Sequence, residues 1–481
     1  MYILLAILIF GLLIFIHELG HFIAARLCGV RVLEFAIGMG PRLFTFKSKK
    51  SGTSYSIRLL PIGGFVAMLG ENGMDPVQGD PNPDGEDLTP NGESGEDADV
   101  TAKKDGFFIN RGNKNAGPED SDAKAEWEGK IVDAETAKHA YCNQSVWKRI
   151  LISIAGPAMN VLLGFLLMLV MVLIGGRGSV GTTVVADFHV VYTGEETYQG
   201  LQNGDYIVGV DGTSLLSYAH LKELVAAKEN GSFEIVVQRL NEKKTDVDYI
   251  TLENVVLNTE LIQSPTITNS LSEQCGLQTM DRIVKVNGTA VHTDYELGYE
   301  LMMQGYRPIS ITVIRDGQTV TLENVTLPNE VDPQSGVTLG TMDFRIYAEP
   351  NFHIGTVLKH TWFRSVSTVK MVFDSLIGLF SGRYGFEAVS GPVGITKTIT
   401  EMAQLGYMYV LNLVTVISIN LGVMNLLPLP ALDGGHLLTY VIEIIRRKPL
   451  KAEVESMINF VGLVLLLGLA LIILIKDIIA L

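Results

Sequence analysis

FIHELGHF (residues 15–22) sets two histidines four residues apart, with a glutamate after the first, inside a run otherwise built of Leu, Ile, Phe, Gly and Ala. A polar group left unpartnered in hydrocarbon costs several kcal/mol. Such a triplet in an apolar helix therefore points to chemistry. On a helix, positions 17 and 21 lie one turn apart on the same face. Two imidazoles so placed can ligate one zinc ion, with Glu18 beside them as general base toward a water molecule. The structural alternative is a pair of helix-packing histidines with a glutamate snorkelling to the membrane surface.

The rest of the chain agrees with a membrane setting. It has 481 residues, 47% of them hydrophobic, and a mean hydropathy of +0.28, high for a soluble protein and long enough for several domains. Four apolar stretches, 2–25, 150–176, 404–431 and 457–475, reach the roughly 20 residues that cross a bilayer core. The first has no Lys or Arg before Arg26 and no prompt small-residue cleavage site, so it reads as a retained helix rather than a signal peptide. Lys and Arg cluster after it (Arg26, Arg31, Arg42, Lys47, Lys49, Lys50) and between the last two stretches (Arg446, Arg447, Lys448, Lys451). The positive-inside rule makes those loops cytoplasmic. The N-terminus and the long segment 177–403 then lie outside the cell. Cys28, Cys142 and Cys275 are far apart with no CxxC spacing, which suggests neither a disulfide framework nor a thiolate zinc site.

Residues 71–140 carry 18 Asp or Glu against 7 Lys or Arg, most of the chain's net charge of -15. This composition reads as a disordered acidic insertion, either a solvated linker or a docking segment for a cytoplasmic partner. Beyond the second apolar stretch, GLQNGDYIVGVDGT (200–213) and GLQTMDRIVKVNGT (276–289) repeat at a constant offset of 76. Each is followed by a helical stretch, a strand and the pentapeptide TLENV (251–255 and 321–325). Strands closed by Asp211-Gly212 or Asn287-Gly288 suit tight turns, and the pattern resembles that of PDZ domains. Met280 stands where the first copy has Gly204, a departure that puts the second loop in question.

Two histidines do not complete a zinc site. The third ligand is sought in NLLPLPALDGGH (425–436), where Pro428 and Pro430 break the third apolar stretch just before Asp433. Broken backbone at that depth must line a cavity or be buried in protein, which can bring a carboxylate against the histidines. His436 is the competing ligand. Segment 354–380 places Leu358, Trp362, Val366, Val369, Phe373 and Ile377 at helical spacing, an amphipathic helix on the outer membrane face acting as a strut or as a gate.

HELGH in a first apolar helix, AGPAMN (155–160) opening a second and NLLPLPALDGG leaving a third together resemble the site-2 protease family of intramembrane zinc metalloproteases. The paired repeats are similar to its PDZ-bearing bacterial branch. The resemblance implies a polytopic α-helical membrane protein: four transmembrane helices, a membrane-associated β-hairpin (38–46 with 55–71) and two extracytoplasmic PDZ-like α/β domains. It implies His17, His21 and Asp433 as Zn2+ ligands, Glu18 as general base, and Asn425 beside the active site holding substrate backbone or the forming oxyanion. Asn160 is a second amide of this kind, or a packing residue.

The expected partners are the lipid bilayer and single-pass membrane proteins, among them anti-sigma factors or signal-peptide remnants. No nucleic acid is expected. The expected domains are 1–70 (first helix and hairpin), 71–142 (acidic insertion), 143–180 (second helix), 181–262 and 263–345 (PDZ-like), 346–403 (amphipathic connection) and 404–481 (last two transmembrane helices). The expected location is the plasma membrane, with the insertion cytoplasmic. Two other readings are a noncatalytic PDZ receptor or scaffold, and a membrane-surface HExxH peptidase whose third ligand is a downstream glutamate.

Overall fold

The computed structural model describes residues 2–71, 75–76, 125–127, 130–132, 134–194, 196–228, 231–240, 247–258, 261–262, 267–268, 270–331, 337–385, 389–448, 450 and 452–479. Leaving aside helices of five residues or fewer, the described helices are α1 (Tyr2–Leu27), α2 (Val146–Gly175), α3 (Tyr218–Ala227), α4 (Asp294–Gln304), α5 (Ile354–Phe380), α6 (Pro392–Leu405), α7 (Tyr407–Asn425), α8 (Asp433–Arg446) and α9 (Ala452–Ile479). Four segments are long and apolar enough to cross a membrane: Ile3–Leu27, Val146–Ser179, Tyr407–Asn425 and Val454–Ile479. At 1.5 Å per residue, α1 alone is about 39 Å long, more than the hydrocarbon core requires. The protein is a multi-pass membrane protein that also carries several β-sheets.

The chain divides into two compact units. One comprises Met1–Gly164, Gly391–Thr400 and Val416–Leu481, and the other Phe165–Ser390 with Glu401–Thr415. In the first, strands β1 (Val32–Lys47) and β2 (Ser54–Met68) pair antiparallel, forming the expected hairpin. Its base is apolar and packs on α1. Phe35, Val66 and Met68 share a core with Ala24, Ala25, Cys28, Ile152 and Tyr440. Farther along, Phe44 and Phe46 are exposed. The one acid on this face, Glu34, is satisfied by Arg42 at 2.6 Å, Arg58 at 2.9 Å and Ser56 at 2.5 Å. Burial opposes ionisation there, but these three donors hold the carboxyl below its ordinary value.

Most of the expected acidic insertion lies outside the described residues. Its last residues are folded: after a helical turn at Ala134–Lys138, Tyr141 is buried in the hairpin core, and its amide donates to Leu69 O at 2.7 Å. Composition averaged over 70 residues hides so short an anchor.

In the second unit the repeats form two sheets of identical order. The first runs Val247–Val256, Ser232–Leu240, Tyr206–Val210, Val190–Tyr192, Ile267–Thr268. The second runs Gln318–Val325, Ile309–Arg315, Arg282–Val286, Gly181–Phe188, Phe344–Ala348. The sheets are nested: Gly181–Phe188, ahead of every strand of the first sheet, belongs to the second, and Ile267–Thr268 closes the first. The expected boundary between residues 262 and 263 therefore does not separate them. The repeat signature could not show this, because Gly181–Phe188 lies outside it. Each sheet has its own apolar core and the same buried ion pair. Arg239 reaches Asp205 with two contacts of 2.7 Å, and Arg315, 76 residues on, reaches Asp281 in the same way. Met280 takes the left-handed conformation of Gly204, with φ of 71° against 88°, so the second loop keeps its shape at a cost of about 1–2 kcal/mol.

Helix α5 covers the expected residues. Leu358, Trp362, Val366, Phe373 and Ile377 of its apolar stripe are exposed, while His360, Thr361, Ser365 and Thr368 are buried. The inward polar face meets α4 through Arg364–Asp294, Lys370–Glu300 and Tyr299–Asp374.

Candidate active site

The site lies wholly in the first unit. Helix α1 brings His17, Glu18 and His21 to the wall of a cavity of about 490 Å³, and Asp433, 412 positions after His21, joins them from the start of α8. The Asp433 Oδ2 atom is 3.1 Å from His17 Nε2 and 3.4 Å from His21 Nε2, and the two Nε2 atoms are 3.2 Å apart. These three ligand atoms lie within 4.8 Å of one another and form the one such cluster found among the described residues.

Local sequence explains how Asp433 arrives there. Helix α7 ends at Asn425, and Pro428 and Pro430 prevent its continuation. Ala431 then takes a left-handed conformation, φ 68°, immediately before α8. Gly434 and Gly435 pack against the preceding loop so closely that added Cβ atoms would stand 2.1 Å from Leu427 O and 2.4 Å from Leu429 O. The LDGG segment thus turns the chain sharply enough to aim its carboxylate at α1.

Helix α2 completes the support. A Cβ on Gly20 would lie 2.3 Å from Ala155 O, and one on Gly156 would lie 2.2 Å from His21 Nε2. The AGP segment is therefore cut away where the His21 ring sits. His21 Nδ1 is 2.8 Å from Ile152 O. A proton on Nδ1 donated to this carbonyl leaves Nε2 free as a ligand. Asn160, fully buried, contacts His17 Nδ1 at 3.2 Å.

The rest of the cavity wall mixes polar side chains with apolar ones such as Phe65, Val66, Met68 and Ile152. His436 lines it but pairs with Glu455 at 3.2 Å instead of joining the three-residue cluster. That hydrogen bond and the Glu455 charge hold its imidazole above the ordinary histidine value, against burial. Glu71 lines the cavity too; burial pushes its carboxyl up despite a hydrogen bond from Met68 N. Arg149 forks onto Glu443 with two contacts of 2.7 Å and lies over the Tyr440 ring. Asn425, at the end of α7, is half-buried and is not among the described residues lining the cavity. Sequence reasoning did not foresee Gly156 and Ile152. The glycine before Pro157 was the available signal.

Two imidazoles and one carboxylate form a donor set that Zn2+ takes in hydrolytic sites, and the convergence of their atoms fits such an ion. A glutamate adjoining that set, inside an apolar helix beside a cavity with room for water and a stretch of substrate, defines a membrane-embedded hydrolase. Comparison narrows the class: the chain belongs to peptidase family M50, which matches residues 5–469. It is 30% identical to the regulator of sigma-W protease RasP of Bacillus subtilis, over 98% of this chain and 97% of that protein. It is 29% identical to the zinc metalloprotease RasP of Bacillus licheniformis, with the same coverage, and 28% identical to that of Shouchella clausii, over 98% and 97%. The expectation of a site-2-type, zinc-dependent membrane protease is borne out by this family and these names.

Proposed function

We propose that this chain cleaves peptide bonds within or near the membrane segments of single-pass membrane proteins, with His17, His21 and Asp433 holding Zn2+ and Glu18 as general base. The observation that carries this reading is the convergence of the two α1 histidines with Asp433 from the far end of the chain. A bound zinc ion supplies Lewis-acid polarisation and lowers the pKa of water toward about 7. Glu18 accepts the proton of the attacking water and returns it to the departing amine. The polar wall bearing Glu71, His436 and Glu455 admits that water. Peptide bonds in a substrate helix are shielded by their own hydrogen bonds, so the substrate enters locally unwound. The stretch Phe65–Met68 of β2, which lines the cavity, is suited to pair with such an extended strand. Asn425 is assigned to the substrate backbone near the scissile bond.

A relative named for regulating sigma-W supports anti-sigma factors as one substrate class. The test is cleavage of a single-pass substrate in proteoliposomes. Wild-type protein releases a fragment cut in the membrane segment, faster when Gly or Pro weakens the substrate helix, and Glu18→Gln lowers the rate by about 10²–10⁴-fold. Equal rates for the two proteins would refute the assignment.

The Lys and Arg clusters after α1 and α8 support a cytoplasmic position for those loops and the acidic insertion. The two nested sheets are then extracytoplasmic PDZ-like domains, and the outward apolar stripe of α5 lies on the outer membrane surface. A cysteine at Thr213 is labelled from outside intact cells, whereas one at Ser94 requires permeabilisation. The opposite pattern would invert the topology.

A further inference from the structure

The Asn160 amide faces His17 the wrong way round for a metal-ligating imidazole. As placed, Asn160 Nδ2 faces His17 Nδ1 at 3.2 Å, while Asn160 Oδ1 is buried without a hydrogen-bond partner. An amide N–H can donate to Nδ1 only if that nitrogen is unprotonated, and the neutral ring then carries its proton on Nε2. Yet Nε2 is the atom directed at Asp433 and at His21 Nε2, and a protonated nitrogen cannot ligate a metal. Amide oxygen and nitrogen are interchangeable by a half-turn of the side chain, so their assignment follows from the hydrogen-bond network.

We infer that Asn160 presents its Oδ1 to His17 and acts as the positioning residue that keeps the proton on Nδ1 and frees Nε2 for the metal. The inference rests on the proposed His17, His21 and Asp433 site. With the amide turned, the two histidines are treated alike: His21 Nδ1 donates to Ile152 O at 2.8 Å, and His17 Nδ1 donates to Asn160 Oδ1. Both acceptors belong to α2, two turns apart, so a single helix fixes both rings. The amide is itself held in place. Asn160 is fully buried, and Ser418 on α7 donates to its backbone carbonyl at 2.7 Å. Partners of this kind orient metal-bound histidines and raise their basicity, and their loss typically weakens metal binding about 10–100-fold. This separates Asn160 from a packing amide, whose loss would be felt in stability rather than in metal affinity.

The test compares zinc affinity by chelator competition, and the visible absorption of the cobalt-substituted protein, for wild type, Asn160→Asp, Asn160→Leu and Asp433→Ala in detergent. Asn160→Leu, of similar size but with no acceptor, is expected to bind zinc about 10–100-fold more weakly and to alter the cobalt spectrum. Asn160→Asp, which keeps an acceptor, is expected to stay within about threefold of wild type. Unchanged affinity in Asn160→Leu, or equal losses in the Leu and Asp variants, would overturn the positioning role. Failure of wild type to bind zinc, or full binding by Asp433→Ala, would instead remove the metal assignment beneath it.

Discussion

His17 and His21 in α1 and His360 in α5 are all buried beside carboxylates, but the two places are built differently. At α1, both Nε2 atoms and one Asp433 oxygen converge within 4.8 Å, and His21 turns its other nitrogen to a backbone carbonyl. At α5, the carboxylates flank opposite ring nitrogens: Asp294 is 3.4 Å from Nδ1 and Glu349 is 3.8 Å from Nε2, and neither nitrogen has a hydrogen-bond partner. One ion cannot be shared across the two sides of a ring. The same residue types give a geometry that can hold a metal in the first place and, in the second, a buried ring packed beside the Arg364–Asp294 ion pair of 3.1 Å. Direction, rather than composition, separates chemistry from adhesion.

The contrast can be broken most forcefully at Gly156. A methyl group there would stand 2.2 Å from His21 Nε2, so Gly156→Ala must move the ring. A displacement near 1 Å is expected to lower cleavage about 100-fold while the purified protein keeps its helical circular dichroism. Activity within about threefold of wild type would mean that ring position matters little. A smaller effect is expected at the other place. His360→Gln removes the fully buried ring packed between Asp294 and Glu349 and should lower thermal stability by about 1–3 kcal/mol, leaving zinc content unchanged. Loss of zinc in that variant would show that the two histidine sites depend on each other.

The membrane helices, the histidine pair and the partner aspartate were legible because each obeys a local rule: apolar length, one-turn spacing, and a proline break before a carboxylate. The repeats were legible for the same reason, each ending its strand in a Gly-containing turn. What eluded the sequence depends on contacts between distant segments. Gly181–Phe188 carries no trace of the repeat, yet completes the second sheet. Gly156 appears as an ordinary small residue until its missing side chain is seen to make room for His21. The periodicity of α5 marked its apolar stripe correctly but suggested nothing about the buried face, where His360 and Arg364 meet acids from residues 294 and 349. Asn160 was legible as an amide in a membrane helix, and only the fold sets it against His17.

Metal analysis of single variants decides which side chains hold zinc. Purified wild-type protein and His436→Ala are expected to carry about one equivalent of zinc, whereas His17→Ala, His21→Ala and Asp433→Ala lose it and Glu18→Gln keeps it. Retention of zinc by Asp433→Ala together with its loss from His436→Ala would contradict the assignment and transfer the third ligand to His436.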